Sequence, residues 1–337
     1  MQDQWIHKIF SITNQDFGSL ALEIFQFQYR HNPVYKAYAD LLKINPAKIA
    51  SVAEIPFLPI RFFKTHSIKT TEFEPQQEFE SSGTGGTVNS HHFVKDIELY
   101  RQSFLRGFEL VYGPVNEWCI LGLLPSYLER ENSSLVFMVK ELMERSRFPT
   151  SSFYLYDHDK LYTRLKELES AGQRTLLIGV SFALLDFSEK YSLPLQHTII
   201  VETGGMKGRK EELVRTELHE LLSGRFGVSD IHSEYGMTEL LSQAYSKGSG
   251  IFNSPPWMKV LIRDEEDPLS IEPGAVSREP GVGTAIRGAI NVIDLANVYS
   301  CAFIATDDAG MLYGDGNFEV TGRLDNSDVR GCSLMAF

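Results

Sequence analysis

The sequence predicts a mixed α/β protein, with largely parallel sheets flanked by helices and a β-rich C-terminal section. Short continuous apolar runs such as Trp118–Leu124 are typical of buried parallel strands. These runs alternate with segments of ten or more residues at helical spacing, as in βαβ units. After about Ser254, prolines and glycines become denser and the apolar runs indicate strands without intervening helices. With 337 residues, 43% of them hydrophobic and 23% charged, the chain has the composition of a globular protein.

Three sections follow from these changes in pattern. Residues 1–80 are predicted as a helical section packed on the core, and residues 81–253 as an α/β core. Residues 254–337 are predicted as a β-rich section with a mobile tail that contains a cysteine. No polar linker is long enough to separate independent domains, so we expect one continuous structural unit.

The first section begins with a helix and continues irregularly. Phe17 to Tyr29 carries apolar residues at helical spacing, and Asn32-Pro33 is expected to end that helix. The segment Ile55–Lys64 is apolar, interrupted by prolines and flanked by basic residues, which indicates a connector packed on the core.

Helices and strands are predicted to alternate through the second section. The helices are expected at Asp96–Tyr112, Ser133–Glu144, Leu161–Ala171, Phe182–Tyr191 and Lys210–Leu222. The strands are expected at Trp118–Leu124, Ser152–Leu155, Arg174–Gly179 and Thr198–Glu202, and close to Ser229–Tyr235. In the last section, strands are expected at Met258–Ile262 and Ala289–Asp294.

Charge and cysteine content exclude several classes of function. The formal net charge of −12 argues against a nucleic-acid-binding protein. No apolar run approaches the length of a membrane span, and the first residues lack the features of a signal peptide. The three cysteines lie too far apart in sequence to indicate a disulfide framework or a zinc site. We therefore expect a cytoplasmic protein.

The stretch Glu80–Thr87 combines three glycines with four hydroxyl side chains and has no apolar residue. Glycine lets the backbone approach a ligand closely, and successive N–H groups can form an anion-binding nest. The stretch is interpreted as a loop that holds the phosphates of a nucleotide. The alternative is a flexible surface linker.

Four further segments follow predicted strands, where open α/β sheets bind ligands. They are Leu123–Tyr127, Ile178–Phe182, Val201–Met206 and His232–Glu239. In the last of them Tyr235 offers a ring that can stack on a purine, and Gly236 lets backbone come close. Thr238 offers a hydroxyl to a phosphate, and Glu239 offers the carboxylate oxygens that Mg²⁺ prefers.

Four motifs together resemble the ordered core motifs of adenylate-forming enzymes, the group of acyl-CoA synthetases, luciferases and peptide-synthetase adenylation domains. They are Ser81–Gly86, Tyr235–Glu239, Ala305–Gly310 and Gly322–Asp325. More narrowly, Ile55–Pro59, the short chain and the ending Asp328–Leu334 are similar to acyl-protein synthetases of the LuxE type. The resemblance implies the large N-terminal domain of these enzymes without their C-terminal lid.

The resemblance also implies ATP and Mg²⁺ as cofactors and a role for each matching residue. The outer phosphates of ATP would bind at Ser81, Ser82, Gly83, Thr84, Gly85, Gly86 and Thr87. Gly204 and Gly205 would form one wall of the adenine or acyl site, and Tyr235 with Gly236 would pack on adenine. Asp307 would bind both ribose hydroxyls, Arg323 would lie near ribose and phosphate, Thr238 would contact the α-phosphate and Glu239 the Mg²⁺. The acyl channel would be lined by Tyr127, Val180 and Phe182.

The function implied is ATP-dependent activation of a carboxylic acid, expected to be fatty, to an acyl-adenylate. Cys332 would then receive the acyl group as a thioester, helped by Arg330, which favours the thiolate, and pass it to a protein such as a reductase or carrier. A homo- or hetero-oligomer is compatible with this function. Two departures weaken the match: no lysine follows the glycines directly, and the family's lid lysine is absent. Lys207, Arg209 and Arg330 are candidate substitutes.

Three alternatives stay open. An acyl-CoA ligase would use the same activation step, and a non-catalytic acyl- or nucleotide-binding subunit would explain the missing lysine. A hydrolase or acyltransferase would use Ser181, but Ala183 breaks the Gly-x-Ser-x-Gly pattern, and Asp230 and His232 form no obvious relay.

His91-His92 has no ligand partners at metal-binding spacing and is expected to be a surface pair.

Overall fold

A computed structural model of the chain describes residues 4–81, 88–125, 132–204, 213–265, 267, 269–271 and 285–324. Contacts divide these residues into two compact units. The first unit takes the described residues within Met1–Phe104, Gly236–Gln243 and Asn253–Ser327. The second unit takes those within Leu105–Tyr235 and Ala244–Phe252. The eight residues Gly236–Gln243 are therefore an excursion of the chain into the first unit between two stretches of the second.

The first unit begins with helices and turns. The helices are α1 (Gln4–Phe10), α2 (Phe17–His31), α3 (Pro33–Leu41) and α4 (Phe62–Thr65), with 3₁₀ turns at Pro46–Lys48 and Val52–Glu54. Helix α2 ends at the predicted place, because Asn32 has an extended backbone there. The Asn32 side chain accepts a hydrogen bond from the Tyr35 N–H and caps α3, whose first residue is Pro33.

An antiparallel sheet forms the C-terminal part of the first unit, which confirms the β-rich section. Its strands are β11 (Met258–Arg263), β12 (Ile286–Asp294), β13 (Phe303–Leu312) and β14 (Phe318–Arg323), adjacent in that order. A two-residue strand, β1 (Leu58–Pro59), pairs in parallel with β13. A 3₁₀ turn at Leu295–Asn297 follows β12.

The predicted connector Ile55–Lys64 is packed but not irregular. Ile55, Phe57, Ile60 and Phe63 are buried, as expected. However, the segment also contains the strand β1 and the helix α4. Its prolines had led us to expect irregular structure instead.

A separate antiparallel ribbon of the first unit flanks the glycine-rich stretch. It consists of β2 (Gln77–Glu80) and β3 (His91–Val94), with Phe79 opposite His92 and Glu80 opposite His91. Side chains alternate across a ribbon, so Phe79, His92 and Val94 are buried while Glu78, Glu80 and His91 face the other side.

The second unit contains alternating strands and helices, in agreement with the predicted fold class. Helix α5 (Ile97–Tyr112) begins in the first unit and ends in the second, and a 3₁₀ turn follows at Val115–Glu117. The strands are β4 (Cys119–Leu123), β5 (Ser152–Phe153), β6 (Thr175–Val180), β7 (Thr198–Thr203), β8 (His232–Tyr235), β9 (Ala244–Ser246) and β10 (Ile251–Phe252). The helices are α6 (Ser134–Arg145), α7 (His158–Ser170), α8 (Ser181–Lys190) and α9 (Arg215–Phe226).

The sheet of the second unit has the order β5-β4-β6-β7-β8-β9 and is parallel except for β9. Every residue of β4 and β6 is buried, as expected for strands covered by helices on both faces. The alternation of apolar runs with helical segments therefore identified the βαβ units correctly. Since β6, β7 and β8 are neighbours and parallel, their carboxyl ends lie side by side at one edge of the sheet.

Candidate active site

The predicted site residues fall in both units, and each group is described within its own unit. In the first unit lie Ser81, Gly236, Thr238, Glu239, Asp307 and Arg323. In the second unit lie Val180, Phe182, Gly204 and Tyr235. Outside the described residues lie Ser82, Gly83, Thr84, Gly85, Gly86, Thr87, Tyr127, Gly205, Lys207, Arg209, Arg330 and Cys332.

The β2–β3 ribbon closes the glycine-rich stretch at its root. The Ser81 N–H donates to the Ser90 carbonyl at 3.0 Å, and the Ser90 N–H donates to Ser81 Oγ at 2.8 Å. Ser81, predicted as a phosphate ligand, therefore uses its hydroxyl oxygen as an acceptor that joins the end of β2 to the residues before β3.

The two histidines after this stretch are not the surface pair that the sequence suggested. His92 is 1% exposed, and its Nδ1 lies 2.7 Å from the Thr238 carbonyl oxygen. His91 lies on the other side of the ribbon, with Nδ1 2.7 Å from Glu78 Oε1. Potential ligand atoms of His91, Glu78 and Glu80 come within 4.8 Å of one another. The prediction was wrong because pairing of β2 with β3 creates neighbours that linear spacing does not reveal.

The excursion Gly236–Gln243 is held in the first unit by side chains from distant parts of the chain. Asn297 Nδ2 donates to the Glu239 carbonyl at 2.7 Å. The Asp294 carboxylate accepts hydrogen bonds from the Leu241 N–H at 2.8 Å, the Ser242 N–H at 3.0 Å and the Ser242 hydroxyl at 2.6 Å. Burial raises the pKa of Asp294 to about 6, although these donors oppose the shift. Glu239 itself is 0% exposed.

Asp307 lies between two arginines on the antiparallel sheet. Arg323 Nη2, on β14, is 3.5 Å from Asp307 Oδ2, and Arg61 Nε is 3.3 Å from the same oxygen. Arg61 was not among the predicted site residues, because it lies in the segment predicted as a connector. The parallel pairing of β1 with β13 brings Arg61 to Asp307, since Pro59 pairs with Ala305. A cation within an otherwise apolar segment was the signal available in the sequence.

In the second unit, the predicted residues Val180, Gly204 and Tyr235 lie at or next to the carboxyl ends of β6, β7 and β8. Val180 pairs with Thr203, and Thr203 pairs with Glu234, so the three strand ends are in register. The edge predicted to bind ligands is thus formed by neighbouring strands.

Ser181 is not arranged as the nucleophile of a hydrolase. Its Oγ lies 2.5 Å from Glu202 Oε1 and also contacts the Gly204 carbonyl oxygen. His219 Nε2 is 3.9 Å from the other oxygen of Glu202. A serine nucleophile needs its hydroxyl directed to a base such as imidazole, whereas this hydroxyl is directed to a carboxylate and a carbonyl. The contacts instead tie the loop at Gly204 to the start of α8.

The buried carboxyl groups Glu202 and Glu234 have opposite pKa shifts. Burial raises the pKa of Glu234 to about 7, with the nearby Glu202 charge adding to the shift and the Thr203 hydroxyl opposing it. Burial also raises the pKa of Glu202, but His219, Arg215 and Ser181 outweigh that effect and hold it below its usual value. This edge of the sheet therefore holds one charged carboxylate beside one that takes up a proton near neutral pH.

The chain matches the model of one known protein family. The model of the acyl-protein synthetase family LuxE matches residues 13–336, almost the whole chain. The chain belongs to the LuxE acyl-protein synthetase family. The family predicted from the motifs is thereby confirmed.

Solved structures confirm the predicted fold class of this LuxE-family protein. A 2-hydroxyisobutyryl-CoA ligase in the postadenylation state with 2-HIB-AMP aligns with a TM-score of 0.61 and 10% identity, over 93% of this chain and 68% of that one. ATP-bound MatB from Rhodopseudomonas palustris aligns with a TM-score of 0.53 and 18% identity, over 75% and 50%. MenE from Bacillus subtilis with ATP and magnesium aligns with a TM-score of 0.50 and 16% identity, over 77% and 53%.

At these identities the similarity is one of fold, and the LuxE-family chain spans about half the length of the first structures it matches. No curated protein matches it significantly in sequence. Among the described helices, none combines the length and the apolar character that crossing a membrane requires.

Two of the three cysteines of this LuxE-family chain lie within the described residues, and both are buried. Cys119 is in β4, where the sequence predicted a structural role. Burial raises the pKa of Cys301 to about 12, so its thiol stays protonated at neutral pH.

Proposed function

We propose that this LuxE-family chain activates a fatty acid with ATP to give an acyl-adenylate and then transfers the acyl group to the thiol of Cys332. From there the group would pass to a partner protein in the cytoplasm. The observation that carries the proposal is the buried Glu239 carboxylate, in a segment held by His92, Asn297 and Asp294, in a chain of the acyl-protein synthetase family.

In the first step a carboxylate oxygen of the acid attacks the α-phosphorus of ATP. A bond forms between that oxygen and phosphorus, and the bond to the bridging oxygen breaks, so pyrophosphate leaves with the electron pair. Two anions must meet in this step, and the protein contributes mainly orientation and positive charge. Arg61 and Arg323 beside Asp307 support a nucleotide site here, because they fix the carboxylate that would accept the ribose hydroxyls.

The residues present fit Mg²⁺, since a carboxylate supplies the oxygen ligands that this hard cation prefers. Glu239 would hold the ion, and the ion would neutralise phosphate charge when bound. Thr238, the preceding residue, would offer its hydroxyl to the α-phosphate.

In the second step the Cys332 thiol loses its proton, its sulfur attacks the acyl carbonyl, and AMP leaves as the carbonyl–oxygen bond breaks. The burial of Cys119 and Cys301 supports Cys332 as the acceptor, because a thiol enclosed in the core cannot reach an adenylate. An acyl-CoA ligase activity would use coenzyme A as the thiol instead.

The activation step is tested by exchange of labelled pyrophosphate into ATP with acids of increasing chain length. We expect exchange that depends on the acid, and a loss of about 100-fold or more in Glu239→Gln. Glu117→Gln, which removes an exposed partner of Arg174 in the second unit, is the matched control and should exchange at the wild-type rate. Absence of exchange with every fatty and aromatic acid would exclude the proposed activity.

The transfer step is tested with labelled acid and ATP on the full chain. We expect a label on the protein that hydroxylamine releases, retained by the control Cys301→Ala and lost in Cys332→Ser. Retention of the label by Cys332→Ser would refute the acceptor role while leaving the activation step untouched. Transfer to added coenzyme A, with no label on the protein, would indicate the acyl-CoA ligase.

A further inference from the structure

The contact of His92 with the Thr238 carbonyl oxygen determines the tautomer of its ring. Its Nδ1 lies 2.7 Å from the Thr238 carbonyl oxygen, and a carbonyl can only accept, so the hydrogen of a neutral imidazole lies on Nδ1. The side chain is 1% exposed, and burial lowers the pKa of His92. Burying this polar ring costs free energy that an apolar residue would not require.

Two consecutive carbonyl groups are held in this way. The Thr238 carbonyl accepts from His92, and the Glu239 carbonyl accepts from Asn297 Nδ2 at 2.7 Å. The Asp294 carboxylate also accepts hydrogen bonds from the N–H groups of Leu241 and Ser242. The backbone on both sides of the Glu239 side chain is therefore fixed by hydrogen bonds from other parts of the first unit.

His92 also connects this backbone to the β2–β3 ribbon. It lies on β3 opposite Phe79, two residues after Ser90, whose N–H donates to Ser81 Oγ. A movement of the ribbon would be transmitted to the Thr238 carbonyl through one hydrogen bond.

We propose that His92 is a positioning residue: its Nδ1–H fixes the Thr238–Glu239 backbone relative to the β2–β3 ribbon and so directs the Glu239 carboxylate toward its cation. The inference rests on the proposed role of Glu239 as the Mg²⁺ ligand. Hydrogen-bond partners behind a metal ligand determine its orientation, and their loss typically weakens metal binding about 10–100-fold.

The test compares two amides at one position. In His92→Asn the amide N–H can take the place of the Nδ1–H, whereas the longer side chain of His92→Gln places its N–H near the former Nε2. Phe79→Leu is the matched control, because it weakens packing of the same ribbon without touching the hydrogen bond to Thr238.

Binding is measured on the full chain by electron paramagnetic resonance, with Mn²⁺ as the probe in the presence of ATP. We expect Mn²⁺ affinity to fall about 10–100-fold in His92→Gln, to recover in His92→Asn and to remain at the wild-type level in Phe79→Leu. In pyrophosphate exchange, His92→Gln should lower kcat and leave the KM for the acid unchanged. Wild-type Mn²⁺ affinity in His92→Gln, or an equal loss in Phe79→Leu, would overturn the proposal.

Glu239→Gln separates this inference from the function on which it rests. If Glu239→Gln loses Mn²⁺ affinity while His92→Gln keeps it, the positioning role is wrong and the metal ligand is right. If Glu239→Gln binds Mn²⁺ as the wild type does, the assigned ligand is wrong and the positioning role falls with it.

Discussion

At the scale of single residues, the clearest consequence for stability lies in the buried Glu234. The pKa of its carboxyl is raised from 4.5 to about 7 by burial, so the folded state holds a proton that the unfolded state releases. The folded state then binds more protons than the unfolded state between these two values, and stability falls as pH rises through that window. A shift of this size corresponds to about 3 kcal/mol.

We predict that Glu234→Gln removes this pH dependence. The amide keeps an oxygen that can accept from the Thr203 hydroxyl but carries no charge. Relative to the wild type, the free energy of unfolding of the variant should increase by about 2–3 kcal/mol between pH 5 and pH 8. Urea denaturation at several pH values, followed by tryptophan fluorescence, measures this difference.

Glu202→Gln is the control, and its effect has the opposite sign. The pKa of Glu202 is held low, so its charge stabilises the folded state above its usual pKa and that contribution is lost as pH falls. Glu202→Gln should therefore destabilise the protein most at neutral and higher pH. A pH-independent effect of Glu234→Gln would show that its carboxyl is already ionised throughout this range.

The positions of residues in the fold could be predicted where they depend on a local pattern and could not where they depend on strand pairing. The carboxyl ends of β6, β7 and β8 were identified from apolar runs followed by polar residues. The burial of His92 and the position of Arg61 were missed, because their partners Thr238 and Asp307 are 146 and 246 residues away. Nothing in the local sequence of either residue encodes that distance.

At the scale of elements, two glycines differ in the space that a side chain would find at their positions. A Cβ on Gly310 of β13 would lie 2.2 Å from the Glu319 carbonyl oxygen on β14, far inside contact distance. A Cβ on Gly107 of α5 would meet no atom within 4 Å. The first glycine permits a close approach of two strands, whereas the second only lowers helix propensity.

We predict that Gly310→Ala destabilises the protein by about 1–3 kcal/mol, because the strands must separate to admit the methyl group. Gly107→Ala is the matched substitution and should stabilise by about 0.5–1 kcal/mol. Urea denaturation of both variants measures the two changes. Equal effects of the two substitutions would contradict the close approach at Gly310.

Elements with a strong periodic pattern were predicted within a few residues. The run Trp118–Leu124 became β4, Cys119–Leu123, and Asp96–Tyr112 became α5, Ile97–Tyr112. By contrast, β1 and the β2–β3 ribbon were not predicted. These strands are short and carry few apolar residues, so their conformation is decided by the partner strand rather than by their own side chains.

At the scale of the whole molecule, composition and contacts divide the chain differently. Composition changes gradually and marks sections that are continuous in sequence, whereas the first unit combines three separate segments. The family and the fold class were nevertheless accessible from sequence, because four motifs in a fixed order are more specific than any one of them. Under the proposed function, the identity of the acid and of the acyl acceptor would depend on pocket shape and on a partner surface, which motifs do not encode.

The excursion Gly236–Gln243 has a consequence for how the protein acquires activity during folding. Its hydrogen bonds to His92, Asp294 and Asn297 close loops of about 50 to 150 residues, and contacts so distant in sequence are slow to form. On a ribosome, Thr238 and Glu239 emerge before Asp294 and Asn297 have been synthesised. In refolding experiments, acid-dependent exchange should therefore return later than helical circular dichroism, and recovered activity would report completion of the first unit.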